Sequence, residues 1–122
     1  MRKKNTFQYK LDHSLEERQN ESSRILSTYQ NRLPIICEKE PNLDIPSIQK
    51  TKYLVPSDMT VSQFLFLIRR NINLNEMSAL YLITAKGTTL TLSQTISEAY
   101  NINKDKQDNF LYLYYASELT WG

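Results

Sequence analysis

The segment Lys52-Tyr53-Leu54-Val55-Pro56-Ser57-Asp58-Met59-Thr60-Val61-Ser62-Gln63-Phe64-Leu65-Phe66-Leu67-Ile68-Arg69-Arg70-Asn71-Ile72 decides the fold, because it sets a strand, a stop and a helix in immediate succession. Lys52 to Val55 is built of residues that suit a pleated, half-buried surface, and Pro56 ends it. Thr60-Val61-Ser62-Gln63 reads as a capping box, in which the threonine hydroxyl and the glutamine side chain satisfy free amides at a helix start. Val61, Phe64, Leu65, Ile68 and Ile72 then recur at helical spacing and form a single apolar face. Such a face must be covered, and a sheet made in part by the preceding strand can cover it.

Upstream, Leu33-Pro34-Ile35-Ile36-Cys37-Glu38-Lys39 reads as a strand with Pro34 at its beginning, since proline cannot donate to a ladder. Glu40 to Ser47, with Pro41 and Pro46, reads as a loop that turns this strand toward Lys52. Further back, Ser14-Leu15-Glu16-Glu17 is another capping box. It opens a polar helix whose narrow apolar stripe is expected to be Leu15, Ser22, Ile25, Leu26 and Tyr29, and which Asn31-Arg32-Leu33-Pro34 ends. Downstream, Leu80 to Ile83 reads as a strand and Ala85-Lys86-Gly87-Thr88 as a tight turn in which Gly87 supplies a positive φ. Thr91-Leu92-Ser93-Gln94 is expected to begin a short helix with Leu92, Ile96 and Ala99 inward, followed by a loop over 101–109. Phe110-Leu111-Tyr112-Leu113-Tyr114-Tyr115 is the most strongly β segment and is expected at the centre of the sheet. The predicted order is helix, strand pair, helix, strand pair, short helix, final strand. A hairpin, a capped helix across it and a late central strand describe an α+β β-grasp.

The length of 122 residues suits one domain, and 40% apolar with 23% charged residues is ordinary for a globular chain. No apolar run approaches the ~20 residues of a membrane-spanning helix. Met1-Arg2-Lys3-Lys4-Asn5 is basic without a following apolar stretch, so no secretory signal is expected, and Arg2-Lys3-Lys4 reads as a solvated surface. A net charge of +2 gives no reason to expect nucleic acid as a partner. With the lone cysteine, Cys37, no internal disulfide is possible, and a soluble intracellular domain is the expectation.

Catalytic chemistry finds no convincing residues. One histidine (His13) and one cysteine make no zinc set, and the two glycines (Gly87 and Gly122) cannot build a phosphate loop. Cys37, inside an apolar strand, reads as a small buried hydrophobe rather than a nucleophile. No enzyme activity and no cofactor are expected. Attention passes to binding surfaces: Lys52 to Val55 could lie at a sheet edge and pair with an extended peptide, although the residues alone favour Tyr53 and Leu54 as core.

Lys52 to Val61, continued by Gln63-Phe64 and Phe66-Leu67-Ile68-Arg69, resembles the autophagy ubiquitin-like modifiers, the family of GABARAP and microtubule-associated protein light chain 3. So do Tyr29 to Lys39, Phe110-Leu111-Tyr112 and the terminal Trp121-Gly122, so that the similarity extends over nearly the whole chain from Phe7. The resemblance implies an α+β, ubiquitin-like β-grasp with two additional N-terminal helices. It divides the chain into a basic extension (1–6), a helical subdomain (7–31), the β-grasp core (32–116) and a conjugation tail (117–122).

It further implies cleavage after a glycine by a cysteine protease, then activation by ubiquitin-type activating and conjugating enzymes. Attachment through Gly122 to phosphatidylethanolamine on autophagosomal membranes would follow, the chain being cytoplasmic until then. Cargo receptors would dock through aromatic-x-x-aliphatic peptides. Carried over, the aromatic pocket is Glu21, Ile25, Pro34, Ile36, Lys52, Leu54 and Phe110, and the aliphatic pocket is Tyr53, Val55, Pro56, Met59, Phe64, Leu67 and Ile68. Arg32, Lys50 and Lys52 would meet acidic residues flanking the peptide. Departures from the family pattern are Asn71 in place of a basic residue, the short turn at Gly87 and the long loop over 101–109. A terminal glycine has its own chemical sense, since it can enter a narrow channel and offer its carbonyl to a thiolate. The alternative is a non-conjugated adaptor that uses the same pockets.

Overall fold

The computed structural model describes residues 6–72 and 79–117. Its elements are α1 (Gln8–Asp12), α2 (Leu15–Thr28), β1 (Arg32–Lys39), β2 (Lys52–Pro56), α3 (Val61–Ile72), β3 (Leu80–Thr84), α4 (Ile96–Asn103) and β4 (Leu111–Ser117). The four strands form one sheet in the order β2-β1-β4-β3. β1 and β4 run parallel at its centre, while β2 and β3 flank them antiparallel. This is the ubiquitin-like α+β fold, with two helices before the first strand.

Alternation along the strands builds one core on each face of the sheet. Ile35, Cys37, Leu111, Leu113 and Tyr115 point to the side covered by Phe64, Leu65, Ile68 and Ile72 of α3 and by Ile96, Ala99 and Tyr100 of α4. Ile36, Tyr112 and Tyr114 point to the other side, where they meet Phe110, Ile25 of α2 and Phe7. The apolar face expected for α3 is the one buried. Its expected box is present: Gln63 N–H donates to Thr60 Oγ1 at 3.1 Å and Thr60 N–H to Gln63 Oε1 at 2.9 Å. Gly87 has φ +94° with open space where a Cβ would lie, so backbone conformation rather than crowding calls for glycine in this turn.

Four expectations are corrected. On α2 only Ser22 and Ile25 of the expected stripe are buried, and Leu15, Leu26 and Tyr29 lie exposed. Arg18 takes the inner position because its Nε donates to the fully buried Asp108 at 2.8 Å. The short helix begins at Ile96, capped by Thr95 and Glu98, and runs to Asn103; Thr91 and Gln94 close only a single turn, leaving Leu92 exposed. After β3 the returning chain makes an isolated bridge, Ile83 to Thr89, and then leaves the sheet as Leu90 drops into the core. Finally, β4 continues through Ala116 and Ser117, paired with Tyr81 and Leu80, two residues beyond the strand expected to end at Tyr115.

Asp108 fastens α2 to the start of β4. Its carboxylate accepts from Arg18 Nε, from Tyr112 Oη at 2.6 Å and from the Phe110 amide at 2.9 Å, while its carbonyl accepts from Ser22 Oγ. Removing one side of a buried, paired charge costs about 3–5 kcal/mol. Asp108→Ala should therefore lower unfolding stability in urea by about 3 kcal/mol, and a loss below about 1 kcal/mol would contradict this role.

Candidate functional site

Pro34 sits opposite Leu54 in the β1–β2 ladder and has no N–H to give. That pair is therefore a non-hydrogen-bonded one, and the bonded pairs are Leu33 with Val55 and Ile35 with Tyr53. The flanking bonds agree, since Ser57 N–H donates to Asn31 O and Cys37 N–H to Thr51 O, each at 2.9 Å. The missing N–H of Pro34 faces the β4 side, where pairing starts only at Ile35. It follows that the N–H and C=O groups of Lys52 and Leu54 point outward from β2, which is the outer strand of the sheet. Arg32 confirms this direction, because its guanidinium reaches around the edge to donate to Leu54 O at 3.0 Å.

The same alternation sorts the two expected pockets onto opposite faces of this edge. Leu54 packs with Ile25, Ile36 and Phe110 in the smaller core, and Pro34 and Lys52 share that face. Ile25, Ile36 and Phe110 are fully buried and form a floor rather than an open cavity. Above them Lys52 Nζ lies 2.6 Å from Glu21 Oε2, bridging β2 to α2. Tyr53, Val55, Phe64 and Ile68 belong to the larger core, with Met59 packed against it. Tyr53 and Phe64 meet edge to face at 5.4 Å, and both are buried, so they too act as floor.

The open part of the aliphatic side is a groove of about 680 Å³ lined by Pro56, Met59, Leu67, Ser62, Gln63 and Phe66. Phe66, 61% exposed, is the wall that reading the helix face overlooked. The signal for it was an aromatic residue standing off the apolar stripe of α3. The three basic residues are all at this edge: Arg32 holds the Leu54 carbonyl, Lys52 holds Glu21, and Lys50 Nζ lies 5.0 Å from the centre of the Tyr53 ring. Gly122 lies outside the described residues. Cys37 is fully buried, and burial, with the neighbouring Glu38 charge, pushes its thiol well above the usual range, in keeping with a core residue.

Glu21 is held ionised by the Arg24 guanidinium at 3.0 Å and then by Lys52, which pull its carboxyl from the ordinary 4.5 down to about 2. A carboxyl lowered in the folded state adds stability that is present above about 4.5 and lost as pH falls toward about 2. Glu21→Gln should therefore flatten the fall in stability across that window, measured by urea unfolding at stepped pH. Parallel curves for the two proteins would contradict the pairing.

Comparison with known proteins agrees with this architecture. The family model described as "Autophagy protein Atg8 ubiquitin like" matches residues 17–122. Autophagy-related protein 8B of Oryza sativa subsp. indica is 46% identical over 114 residues, covering 93% of this chain and 94% of that protein. Autophagy-related protein 8 of Vanderwaltozyma polyspora is 45% identical, covering 93% of this chain and 95% of its own length. The crystal structure of Trypanosoma brucei ATG8 superimposes with a TM-score of 0.89 at 40% identity, covering 96% of this chain and 99% of that one. The chain belongs to the Atg8 family of autophagy ubiquitin-like proteins.

Proposed function

We propose that this chain is a lipid-conjugated autophagy modifier that docks aromatic-x-x-aliphatic peptides along β2. The observation that carries the docking is the division of the two pockets between opposite faces of an edge strand. A peptide added to β2 as a further strand would alternate its side chains between the faces, so residues three apart point to opposite sides. An aromatic side chain would then enter beside Leu54, Ile25 and Phe110, and an aliphatic one three residues later would meet Met59 and Leu67. The backbone of the peptide would bond to Lys52 and Leu54, displacing Arg32 from the Leu54 carbonyl.

Entry to the aromatic pocket requires the Lys52–Glu21 bridge to move, since it spans the floor that the ring must reach. Acidic residues beside the aromatic one supply the replacement, drawing Lys52, Lys50 and Arg32 toward the peptide. Such exposed pairs contribute only about 0–1 kcal/mol each and act mainly on encounter and selection. The apolar anchors carry most of the affinity.

For attachment, Gly122 would first be made the chain's end by a cysteine protease where further residues are encoded. An activating enzyme would use ATP to adenylate its carboxylate, releasing pyrophosphate, and the enzyme's thiol would displace AMP to give a thioester. Exchange onto the thiol of a conjugating enzyme would then present the acyl group to the amine of phosphatidylethanolamine. The amine displaces the thiol and an amide forms, with this chain as the substrate of each step. The conjugate would reside on autophagosomal membranes and the free form in the cytoplasm, where cargo receptors reach the same edge.

Docking and attachment are separable by two variants. Deletion of Gly122 should abolish membrane linkage in a reconstituted conjugation reaction while leaving peptide affinity unchanged by calorimetry. Leu54→Ala with Leu67→Ala should weaken the peptide about tenfold or more, with the fold retained. Linkage without Gly122, or unchanged affinity in the double variant, would overturn the corresponding half of the proposal.

A further inference from the structure

A separate groove of about 360 Å³ lies between the end of β3 and the end of α4, far along the sheet from β2. Its walls include Ala85, Ile102 and Tyr112, and its rim carries Lys86, Lys104 and Lys106. Ile102 is 72% exposed, the most exposed of the large apolar side chains among the described residues. A large aliphatic side chain so exposed beside a concave wall leaves apolar surface available for burial.

The charge at this groove is one-sided. Its lone carboxylate, Asp105, is held by Lys10 Nζ at 2.7 Å and by the amides of Gln107 and Asp108. Lys10 itself rests 4.6 Å from the centre of the Tyr112 ring, so that cation and carboxylate close on each other under the groove. Among the described residues none of the three rim lysines has a carboxylate partner, although Lys104 Nζ lies 5.3 Å from the centre of the Tyr100 ring. The rim therefore presents uncompensated ammonium groups around an apolar wall.

We infer that this groove is a second docking surface, and that it takes an acidic peptide segment carrying one aliphatic side chain. The aliphatic group packs against Ile102 and Ala85 while carboxylates on either side of it face Lys86, Lys104 and Lys106. Concavity favours a peptide over an anionic bilayer, because a narrow groove admits a side chain whereas a lipid surface needs a flat or convex face. The site is independent of the β2 edge, so a partner could occupy both at once and gain affinity by linkage of two weak contacts.

The probe is a twelve-residue peptide with a single leucine flanked by glutamates and aspartates, titrated into the nitrogen-15-labelled full chain and followed by amide shifts. Saturable changes at Ala85, Lys86 and 102–106 are expected, with about tenfold weaker binding in Lys86→Glu with Lys106→Glu. Ile102→Ser should weaken it without altering the shifts of the rest of the chain. Both substituted lysines and Ile102 are exposed, so the spectrum of each variant reports directly whether the fold is kept. Equal binding when the peptide leucine is replaced by serine would reduce the site to general charge attraction and overturn the proposal. So would shifts confined to other regions, no response, or a groove that responds to phosphatidylserine vesicles and not to the peptide.

Discussion

A hydrogen atom that Pro34 lacks fixes the geometry of the candidate site. Without an N–H, Pro34 has to occupy a non-bonded position of the ladder, and the parity of the whole β1–β2 pair follows from it. Once parity is set, Lys52 and Leu54 turn their backbone groups to the free edge and their side chains to the face of α2. Tyr53 and Val55 turn their backbone groups inward and their side chains to the face of α3. A one-residue slip would exchange the faces and present a different set of groups to a partner. The proline thus links a local covalent fact to the arrangement of the two proposed pockets.

The sheet can serve both faces because helices cover both. α3 and α4 seal the larger core, leaving the far side of the sheet to be closed by α2 and by the segment around Phe7. That second closure relies on polar fastening as much as on apolar area. Glu38 accepts the amides of Gln8 and Tyr9 at 2.8 and 2.9 Å, Lys10 reaches Asp105, and Asp108 gathers Arg18, Ser22 and Tyr112. Phe7 stacks on Tyr114 with ring centres 4.0 Å apart. These contacts position Glu21 and Ile25 over β2, without which the aromatic side of the edge would have no wall.

Much of this was legible in the sequence, and what was not has physical reasons. The α3 face and the capping boxes at Ser14 and Thr60 could be read because a single local pattern dictates each of them. Arg18 was missed because a charged residue reads as solvent-facing until its partner, 90 positions away, is known. Leu92 was misplaced because Thr91-Leu92-Ser93-Gln94 mimics a capping box, while the true cap four residues later, Thr95 with Glu98, competes for the same helix. At the site, the residues alone favour Tyr53 and Leu54 as core over binding surface. The fold makes Tyr53 buried floor and leaves Leu54 only partly buried at the edge. Phe66 stands apart from the stripe of α3, and only the packing of Pro56 and Met59 beside it reveals a groove.

The central claim is that β2 accepts a partner through the outward backbone groups of Lys52 and Leu54, with its two faces sorting the partner's side chains. Amide hydrogen exchange, read residue by residue with and without an aromatic-x-x-aliphatic peptide, tests it most directly. The account predicts slowed exchange at Lys52 and Leu54 on binding, with Tyr53 and Val55, already bonded to β1, protected in the free chain as well. A peptide that binds while leaving the amides of Lys52 and Leu54 unprotected would contradict strand addition at this edge.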